Sequence, residues 1–434
     1  MRVLITGAST FFVPPLVRGF GLRGVEVTAA DSRWFSMGKA ARHSIRTLRL
    51  PLLAKEPGGY LDGVVRELKA RPYDLLLPAH EESLLLAEYR PELETLTRLF
   101  LPTFANMWRL HDKTSLYRVC LELGIPAPLT VIPSSPAGIV EAIGGLRFPV
   151  VIKLPTANNC AGRVFCDNPA ELTERYSRLY DEETRRGNAA PFVQQKIEGE
   201  PIYTLMFCDQ GRKLGEVMYK PLRTYPERGG TSAHRESVEI PGIAELTDRL
   251  ARATSWSGFL GLDFIVNQED GQPCLLDANP RATPGVQLGM LAGVDWPGMM
   301  IDLLEDRPVE PRSARAGIRT RTFLLDAAWL LEGCAPQRHW LASAKQRLKK
   351  YRHPDWELTS RNEFLETGEW RCTLAMAYQG LSGMARSIVN GQEIGQMIFD
   401  DLNYDAVTAE QLRQTRSKRT SLAASPKVES PAGG

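Results

Sequence analysis

Two short apolar segments in the second half of the chain each carry an acidic residue, and a polar turn separates them. The segments are Gly261–Val266 and Leu275–Arg281, and the turn between them, Asn267–Pro273, contains glycine and proline. Apolar runs bounded by such a turn predict a β-hairpin. Because side chains alternate along a strand, we expect Asp263 and Asp277 to lie on neighbouring strands and to point to one face. The fold must accommodate this antiparallel pair.

Two further polar residues follow Asp277 at two-residue steps, so Asn279 and Arg281 are expected on the same face. Two carboxylates and an amide oxygen suit Mg²⁺ that bridges phosphates, and a guanidinium is a planar donor for a phosphoryl or carboxylate group. A surface hairpin with ordinary turn acids is the alternative, but it does not explain why acid, amide and arginine recur within an apolar strand. The hairpin therefore predicts a metal site at Asp263, Asp277 and Asn279.

The bulk composition is that of an ordinary globular protein. The 434 residues are 43% hydrophobic and 24% charged with a net charge of +2, which gives no argument for nucleic-acid or membrane partners. The N-terminus passes directly into a predicted strand, and no apolar run has transmembrane length. The seven cysteines lack zinc-site spacing and are typical of reduced thiols. These features predict a cytoplasmic protein of two or three domains.

Residues 1–110 alternate predicted strands with predicted helices, which indicates a doubly wound α/β sheet. The segment Thr6–Ser9, followed by Asp31, invites a dinucleotide-binding interpretation and a nicotinamide-dependent oxidoreductase. However, Val13–Pro15 stands where further glycines would let a pyrophosphate approach the backbone, and the chain contains no Tyr-x-x-x-Lys. A domain that binds no dinucleotide is the favoured interpretation.

The hairpin and its polar residues resemble the metal-binding signature of the ATP-grasp superfamily, in particular its carbamoyl-phosphate synthase and biotin carboxylase members. The resemblance covers about residues 1–305 and implies a Rossmann-like domain followed by an ATP-grasp fold of two α+β subdomains. We expect five regions: the Rossmann-like domain (1–110), the lid subdomain (111–190), the subdomain with the metal site (191–305), a mostly helical extension (306–413) and a disordered tail (414–434).

The resemblance also implies a site for ATP with Mg²⁺, or Mn²⁺ in its place. Lys113, in the His-Asp-Lys that opens a helix, matches the family's first phosphate-contacting lysine. Lys153 lies inside an apolar strand, where burial is costly without an anion, and a polyphosphate supplies that anion. The loop Thr156–Gly162 matches the phosphate lid, although it has one glycine where the family's lid is glycine-rich.

A hinge that holds adenine in the family is matched by Gln194-Gln195-Lys196-Ile197. The resemblance implies that Gln194, the backbone of Gln195 and the backbone of Ile197 contact the base. Glu200 is the candidate for the ribose hydroxyls, and His234 is a candidate for the ribose or a phosphate.

A stretch rich in arginine and glycine precedes the hairpin and resembles the arginine–Pro–Gly-Gly loop of carboxylate–amine ligases. Paired glycines permit a tight loop with exposed N–H donors. A mobile basic surface loop is the alternative interpretation. The residues expected to bind a substrate carboxylate are Arg223, Arg228, Gly229, Gly230 and Arg235.

The implied activity is that of an ADP-forming carboxylate–amine ligase, which joins a small carboxylic acid, amino acids among the candidates, to an amine through an acyl phosphate. Arg281 is expected to be catalytic, stabilising the oxyanion or the transferring phosphoryl group. Small-molecule substrates and a homodimer are compatible with the resemblance.

Several alternatives stay open at this stage. They are a biotin carboxylase-like enzyme that activates bicarbonate, a nucleotide-binding regulator without catalysis, and the oxidoreductase already described. Glu81 and Glu82 either meet the amine substrate or are acids favoured by a helix N-terminus. The sequence specifies neither the acid nor the amine.

Overall fold

A computed structural model of the protein describes residues 1–156, 163–227, 230–332, 345, 347–349, 360–365 and 367–390. The chain begins with a five-stranded parallel sheet in the order β3-β2-β1-β4-β5. Its strands are Arg2–Ile5 (β1), Glu26–Asp31 (β2), Ser44–Arg49 (β3), Leu75–Leu77 (β4) and Arg98–Leu99 (β5). The associated helices are Val13–Gly21 (α1), Met37–Ala40 (α2), Pro57–Ala70 (α3), Glu82–Glu88 (α4), Arg90–Leu93 (α5) and Phe104–His111 (α6). The expected doubly wound α/β arrangement is therefore present as a parallel sheet with helical crossovers.

The second sheet has four antiparallel strands in the order β6-β9-β7-β8. These strands are Thr130–Val131 (β6), Val150–Lys153 (β7), Val164–Cys166 (β8) and Phe192–Gln195 (β9). Helices Ile139–Ala142 (α8) and Pro169–Arg185 (α9) pack on them. Helix Lys113–Leu123 (α7) precedes these strands in the chain, but its buried residues belong to one of the two larger clusters. This sheet packs on a small hydrophobic cluster of its own, which includes Ile139, Ile152 and Tyr176. It therefore forms a packing unit separate from the two larger clusters.

The third sheet has eight strands, with the path β14-β13-β10-β11-β12-β16-β17 and β15 paired to β11. The strands are Gly199–Asp209 (β10), Arg212–Tyr225 (β11), Thr231–Val238 (β12), Gly258–Asn267 (β13), Pro273–Asn279 (β14), Arg312–Ser313 (β15), Arg319–Arg321 (β16) and Ser360–Asn362 (β17). The remaining helices are Ile243–Ala253 (α10), Gly285–Ala292 (α11), Trp296–Leu304 (α12), Phe323–Glu332 (α13) and Trp370–Asn390 (α14). Two large hydrophobic clusters each join this sheet to the first one.

The region after residue 305 is the one that we predicted to be a mostly helical extension. Its described part contains α13 and α14, but it also adds β15, β16 and β17 to the large sheet. Strands of two or three residues are too short to show a period-two pattern, so sequence periodicity does not reveal them. The segment is therefore an integral part of the sheet. The expected disordered tail, 414–434, lies outside the described residues.

Helix α14 packs on the first sheet at the turn that invited a dinucleotide-binding interpretation. The Gln379 amide donates to the Ser9 carbonyl (3.2 Å), and the buried Asp31 carboxylate accepts from the backbone N–H groups of Ser9 (2.6 Å) and Arg33 (2.9 Å). Asp31, the acid that would hold a ribose in a dinucleotide site, is hydrogen-bonded to nearby backbone N–H groups, and helix α14 covers the turn after β1. This arrangement counts against a nicotinamide-dependent oxidoreductase.

Candidate active site

Strands β13 and β14 pair antiparallel, as the sequence predicted, and they bring the two acids together. Asp263 is the direct cross-strand partner of Asp277, and Gly261 is the partner of Asn279. Directly opposed residues share a face of the sheet, and the Asn279 amide lies 3.4 Å from a carboxylate oxygen of Asp263. The three candidate metal ligands therefore form one oxygen-rich group.

The chemistry of this group fits a hard divalent cation that is shared with a polyphosphate. Among the described residues, no cluster of three His, Cys, Asp or Glu side chains is suited to hold a metal ion. Asp263, Asp277 and Asn279 instead offer two carboxylates and an amide. Mg²⁺ is typically bound in this way, through one or two carboxylates together with waters and substrate phosphates.

Lys113 reaches this group from the N-terminus of α7. Its ammonium lies 3.1 Å from a carboxylate oxygen of Asp277, and the two side chains are only 12% and 26% exposed. The helix starts here because Asp112 caps it, accepting from the Ser115 N–H at 2.8 Å. The structure thus brings the expected phosphate-binding lysine directly to an expected metal ligand.

Lys153 lies at the end of β7 and supplies a second cation. Its ammonium donates to the side-chain oxygen of Gln194 at 2.6 Å, and the Gln194 amide donates to the Thr130 hydroxyl at 2.9 Å. Burial lowers the pKa of Lys153 to about 8, although Asp277 opposes this shift. The Gln194 side chain is therefore used to orient Lys153, and both residues lie on adjacent strands of the four-stranded sheet.

The remaining residues expected at the nucleotide differ in their placement. The backbone N–H of Gln195 donates to the Leu129 carbonyl at 2.9 Å, which fixes the start of the hinge that continues to Ile197. Glu200 lies near the start of β10, half exposed, with an oxygen 3.5 Å from the Lys220 ammonium. The expected lid falls mostly on residues 157–162, which lie outside the described residues.

The two acids and their neighbours set the electrostatics of the site. Burial raises the pKa of Asp263, and the nearby Asp277 carboxylate raises it further, because two negative charges are costly to hold so close. Lys113 and Arg281 act in the opposite direction on the same pKa. The acid pair is therefore held between cations, which is the environment expected where a divalent cation and phosphates are bound.

Arg281 follows β14 and faces the first domain. Its Nε lies 3.6 Å from a carboxylate oxygen of Glu81, and the two side chains are 11% and 3% exposed. His80 and His111 are also buried near it, and burial lowers the pKa of both, that of His111 to about 4. Glu81 and His80 follow β4, and His111 is the last residue of α6. The first domain thus forms one wall of the site around Arg281.

Glu82, the other acid after β4, has a different environment from Glu81. One of its oxygens accepts from the Thr6 hydroxyl (2.9 Å) and from the N–H groups of Ala79 (2.9 Å) and His80 (3.1 Å). Glu82 therefore ties the loop after β4 to the turn after β1. Only Glu81 of the pair faces the candidate site.

Two of the three arginines expected on a substrate loop, Arg223 and Arg235, lie on strands β11 and β12. Arg223 is buried against Asp326, with an Nε to oxygen distance of 2.6 Å. Arg235 is fully buried, 3.2 Å from a Glu363 oxygen. Neither acid partner is close in sequence, and both pairs attach the region after residue 305 to the sheet. Their side chains are therefore engaged in ion pairs within the protein.

His234 is also buried in β12, where its Nε2 lies 2.7 Å from the Ser360 hydroxyl. Burial and the nearby Arg223 guanidinium together lower the pKa of His234 to about 2, so the ring is neutral. Gly230 lies in the turn between β11 and β12, where a Cβ would come within 2.2 Å of the Tyr225 and Pro226 backbone. Arg228 and Gly229 lie outside the described residues.

Comparison with known proteins agrees with the fold and the hairpin. Residues 215–323 match the family model described as ATP-grasp in the biosynthetic pathway with Ter operon. The carbamoyl phosphate synthase large chain of Thermus thermophilus is 22% identical over an alignment of 233 residues that covers 49% of this chain and 22% of that relative. The chain therefore spans about a fifth of the length of this curated relative.

Solved structures show the same fold. Biotin carboxylase from Campylobacter jejuni superposes with a TM-score of 0.61 at 15% identity, over 73% of this chain and 74% of that one. Phosphoribosylamine–glycine ligase from Thermotoga maritima gives a TM-score of 0.58 at 18% identity, over 74% and 78%. The resemblance to the ATP-grasp superfamily that the hairpin indicated agrees with the family model matched by residues 215–323 and with the fold of these structures. In the part of the chain that the structure describes, no helix is long and apolar enough to cross a membrane.

Proposed function

We propose that the protein is an ATP-dependent, ADP-forming ligase that activates a small carboxylic acid and transfers it to an amine. The observation that carries this proposal is the convergence of Lys113, Asp263, Asp277, Asn279 and Arg281 at the edge of the large sheet. The set combines oxygen ligands for a cation with positive groups for phosphates. Such positioning and charge stabilisation account for most of the catalysis of phosphoryl transfer.

Each group has a distinct part in the proposed reaction. Asp263, Asp277 and Asn279 would hold Mg²⁺, which offsets charge on the ATP phosphates when bound. Lys113 and Lys153 bind the phosphates, and Gln194 orients Lys153 through their 2.6 Å hydrogen bond. Arg281 stabilises negative charge as the carboxylate attacks the terminal phosphorus, and again as the amine attacks the acyl phosphate.

The first domain contributes to the acceptor side of the site. Glu81 pairs with Arg281 and keeps its guanidinium near the acids, while the buried neutral His80 and His111 add no competing positive charge. A water-poor environment of this kind strengthens the electrostatic interactions of Arg281. The substrates are expected to enter where the first domain meets β14.

The proposal is tested by ADP release from Mg²⁺-ATP with pooled carboxylic acids, bicarbonate among them, crossed with pooled amines. We expect ADP only when one acid and one amine are both present. The matched control is Asp277→Asn, which removes a metal ligand and keeps the volume of the side chain. ADP that requires bicarbonate and no amine would replace the ligase with a bicarbonate-activating enzyme. Bound ATP with no ADP from any pool would favour a nucleotide-binding regulator.

A further inference from the structure

Lys113 occupies an unexpected position for a lysine that binds phosphate. Its ammonium lies 3.1 Å from Asp277, the residue that we assign to the metal. In this structure a unit positive charge therefore already neutralises part of the metal site. A divalent cation that binds Asp277 must displace this ammonium or share the carboxylate with it.

The backbone of Lys113 is held firmly, so only its side chain is able to move away. Asp112 caps the helix, and the Lys113 N–H donates to the Pro155 carbonyl at 2.9 Å. Pro155 comes two residues after Lys153, at the point where the chain leaves β7 for the expected lid. The base of the Lys113 side chain is therefore anchored between the metal site and the phosphate site.

An ammonium displaced from Asp277 loses the carboxylate that lies 3.1 Å from it. The Lys113 side chain is mostly buried, and burying an ammonium without an anionic partner is costly. A free divalent cation brings only positive charge to Asp277 and leaves Lys113 beside it. A polyphosphate bound with the cation supplies the anion that Lys113 loses.

We infer that Lys113 makes the metal site selective for a divalent cation that arrives with a polyphosphate, and that it excludes the free cation. The inference rests on the metal and nucleotide site of the proposed function, and it adds the order in which that site is filled. The coupling is reciprocal: the cation should strengthen polyphosphate binding by the same factor as the polyphosphate strengthens cation binding.

Lys153 provides a matched control in the same site. It is also buried and close to Asp277, but its ammonium donates to Gln194 rather than to the acid. Replacing Lys153 therefore removes a phosphate-binding charge without removing the ion pair on Asp277. Comparing the variants of the two lysines therefore separates two effects: the loss of affinity for phosphate, and the loss of the ion pair between Lys113 and the metal ligand Asp277.

The test measures free Mn²⁺ by electron paramagnetic resonance as the cation is titrated into the protein, with and without a non-hydrolysable ATP analogue. Wild type, Lys113→Met, Lys113→Gln and Lys153→Met are compared, and thermal melting checks that each is folded. Without the analogue, both Lys113 variants should bind Mn²⁺ at least about tenfold more tightly than wild type, within the usual range of coupling factors. Lys153→Met should raise the affinity for free Mn²⁺ by less than either Lys113 variant, because the Lys153 ammonium donates to Gln194 and not to Asp277.

Several outcomes separate the two proposals. Equal affinity of wild type and both Lys113 variants for free Mn²⁺ would overturn the inference and leave the ligase proposal standing. Tight Mn²⁺ binding that survives Lys113→Met combined with Asp277→Asn would place the cation elsewhere and overturn it as well. Failure of wild type to bind the ATP analogue with Mn²⁺ would remove the proposed function together with the inference.

Discussion

Asp31, at the end of β2 in the parallel sheet, and Asp277, within β14 of the large sheet, are two acids whose carboxylates are stabilised in different ways. Asp31 is buried and accepts from backbone N–H groups of Ser9 and Arg33, which do not move independently of the fold. Asp277 pairs with the long side chain of Lys113. A buried carboxylate whose hydrogen bonds come from the backbone stabilises the fold. A carboxylate that is paired with a flexible lysine side chain is able to exchange that ammonium for a metal ion.

The largest effect that tests this comparison concerns Arg281, at the end of β14. Arg281→Ala should lower turnover by about 10²- to 10³-fold, because one preorganised donor to a developing oxyanion contributes about 2.7–4 kcal/mol in other enzymes. Its melting temperature should stay close to that of wild type. Turnover is measured as ADP release with a productive acid and amine. Wild-type turnover in this variant would remove Arg281 from the mechanism.

The two acids themselves give opposite expectations. Asp277→Asn should weaken Mg²⁺-dependent nucleotide binding by more than the roughly 10- to 100-fold that loss of an outer-shell group costs in other metal sites. Asp31→Ala should leave nucleotide affinity unchanged but lower the free energy of unfolding by about 1–3 kcal/mol, because it strands two buried N–H groups. Calorimetric titration and denaturant unfolding of both variants measure these effects. Weaker nucleotide binding by Asp31→Ala, together with unchanged binding by Asp277→Asn, would contradict the roles that we assign to the two acids.

A smaller effect is expected at Glu81, which touches Arg281 from the first domain. Glu81→Gln should reduce turnover by about tenfold, or ~1.4 kcal/mol, because it removes the carboxylate charge that holds the Arg281 guanidinium in place. The KM for ATP should be unchanged, because Glu81 is not expected to contact the nucleotide. Glu94→Gln, which breaks the more exposed Arg90–Glu94 pair, is the control. In an Arg281→Lys background the Glu81 effect should shrink, since the two residues act together. Full additivity would contradict this assignment.

The smallest effect is a dependence on pH. Because the pKa of Lys153 is lowered to about 8 by burial, its positive charge is lost as the pH rises through that value. The affinity for ATP should therefore fall a few-fold between about pH 7 and pH 9. Lys153→Arg should remove this fall, because a guanidinium stays charged. Affinities are measured by calorimetry in buffers of constant ionic strength, and an unchanged slope in the arginine variant would exclude Lys153 as its source.

Much of the site could be predicted from local sequence. The apolar alternation around Asp263 and Asp277 places both acids on facing strands, and Asp112 and Gly124 mark the ends of α7. These features depend on residues that are neighbours in the chain or in one hairpin. Local chemistry is sufficient in such cases because a turn or a cap fixes the geometry.

Other parts could not be predicted because they depend on distant residues. Strand β12 contains Ser232, His234, Arg235 and Glu236 and shows no apolar alternation. Its buried Arg235 is paired with Glu363, and Arg223 of the neighbouring β11 is paired with Asp326. The contact between Glu81 and Arg281 spans two domains in the same way. A sequence pattern carries no information about which partner a buried charge will meet.

The position of α14 has a consequence for how the chain is made. Its Gln379 closes the turn after β1, and Cys372 donates to the Met37 carbonyl, so a late segment completes the surface of the earliest domain. During translation the N-terminal segments emerge first, and Gln379 follows Ser9 by 370 residues in the chain. Until α14 has been synthesised, the turn after β1 and the start of α2 therefore lack the contacts that Gln379 and Cys372 provide.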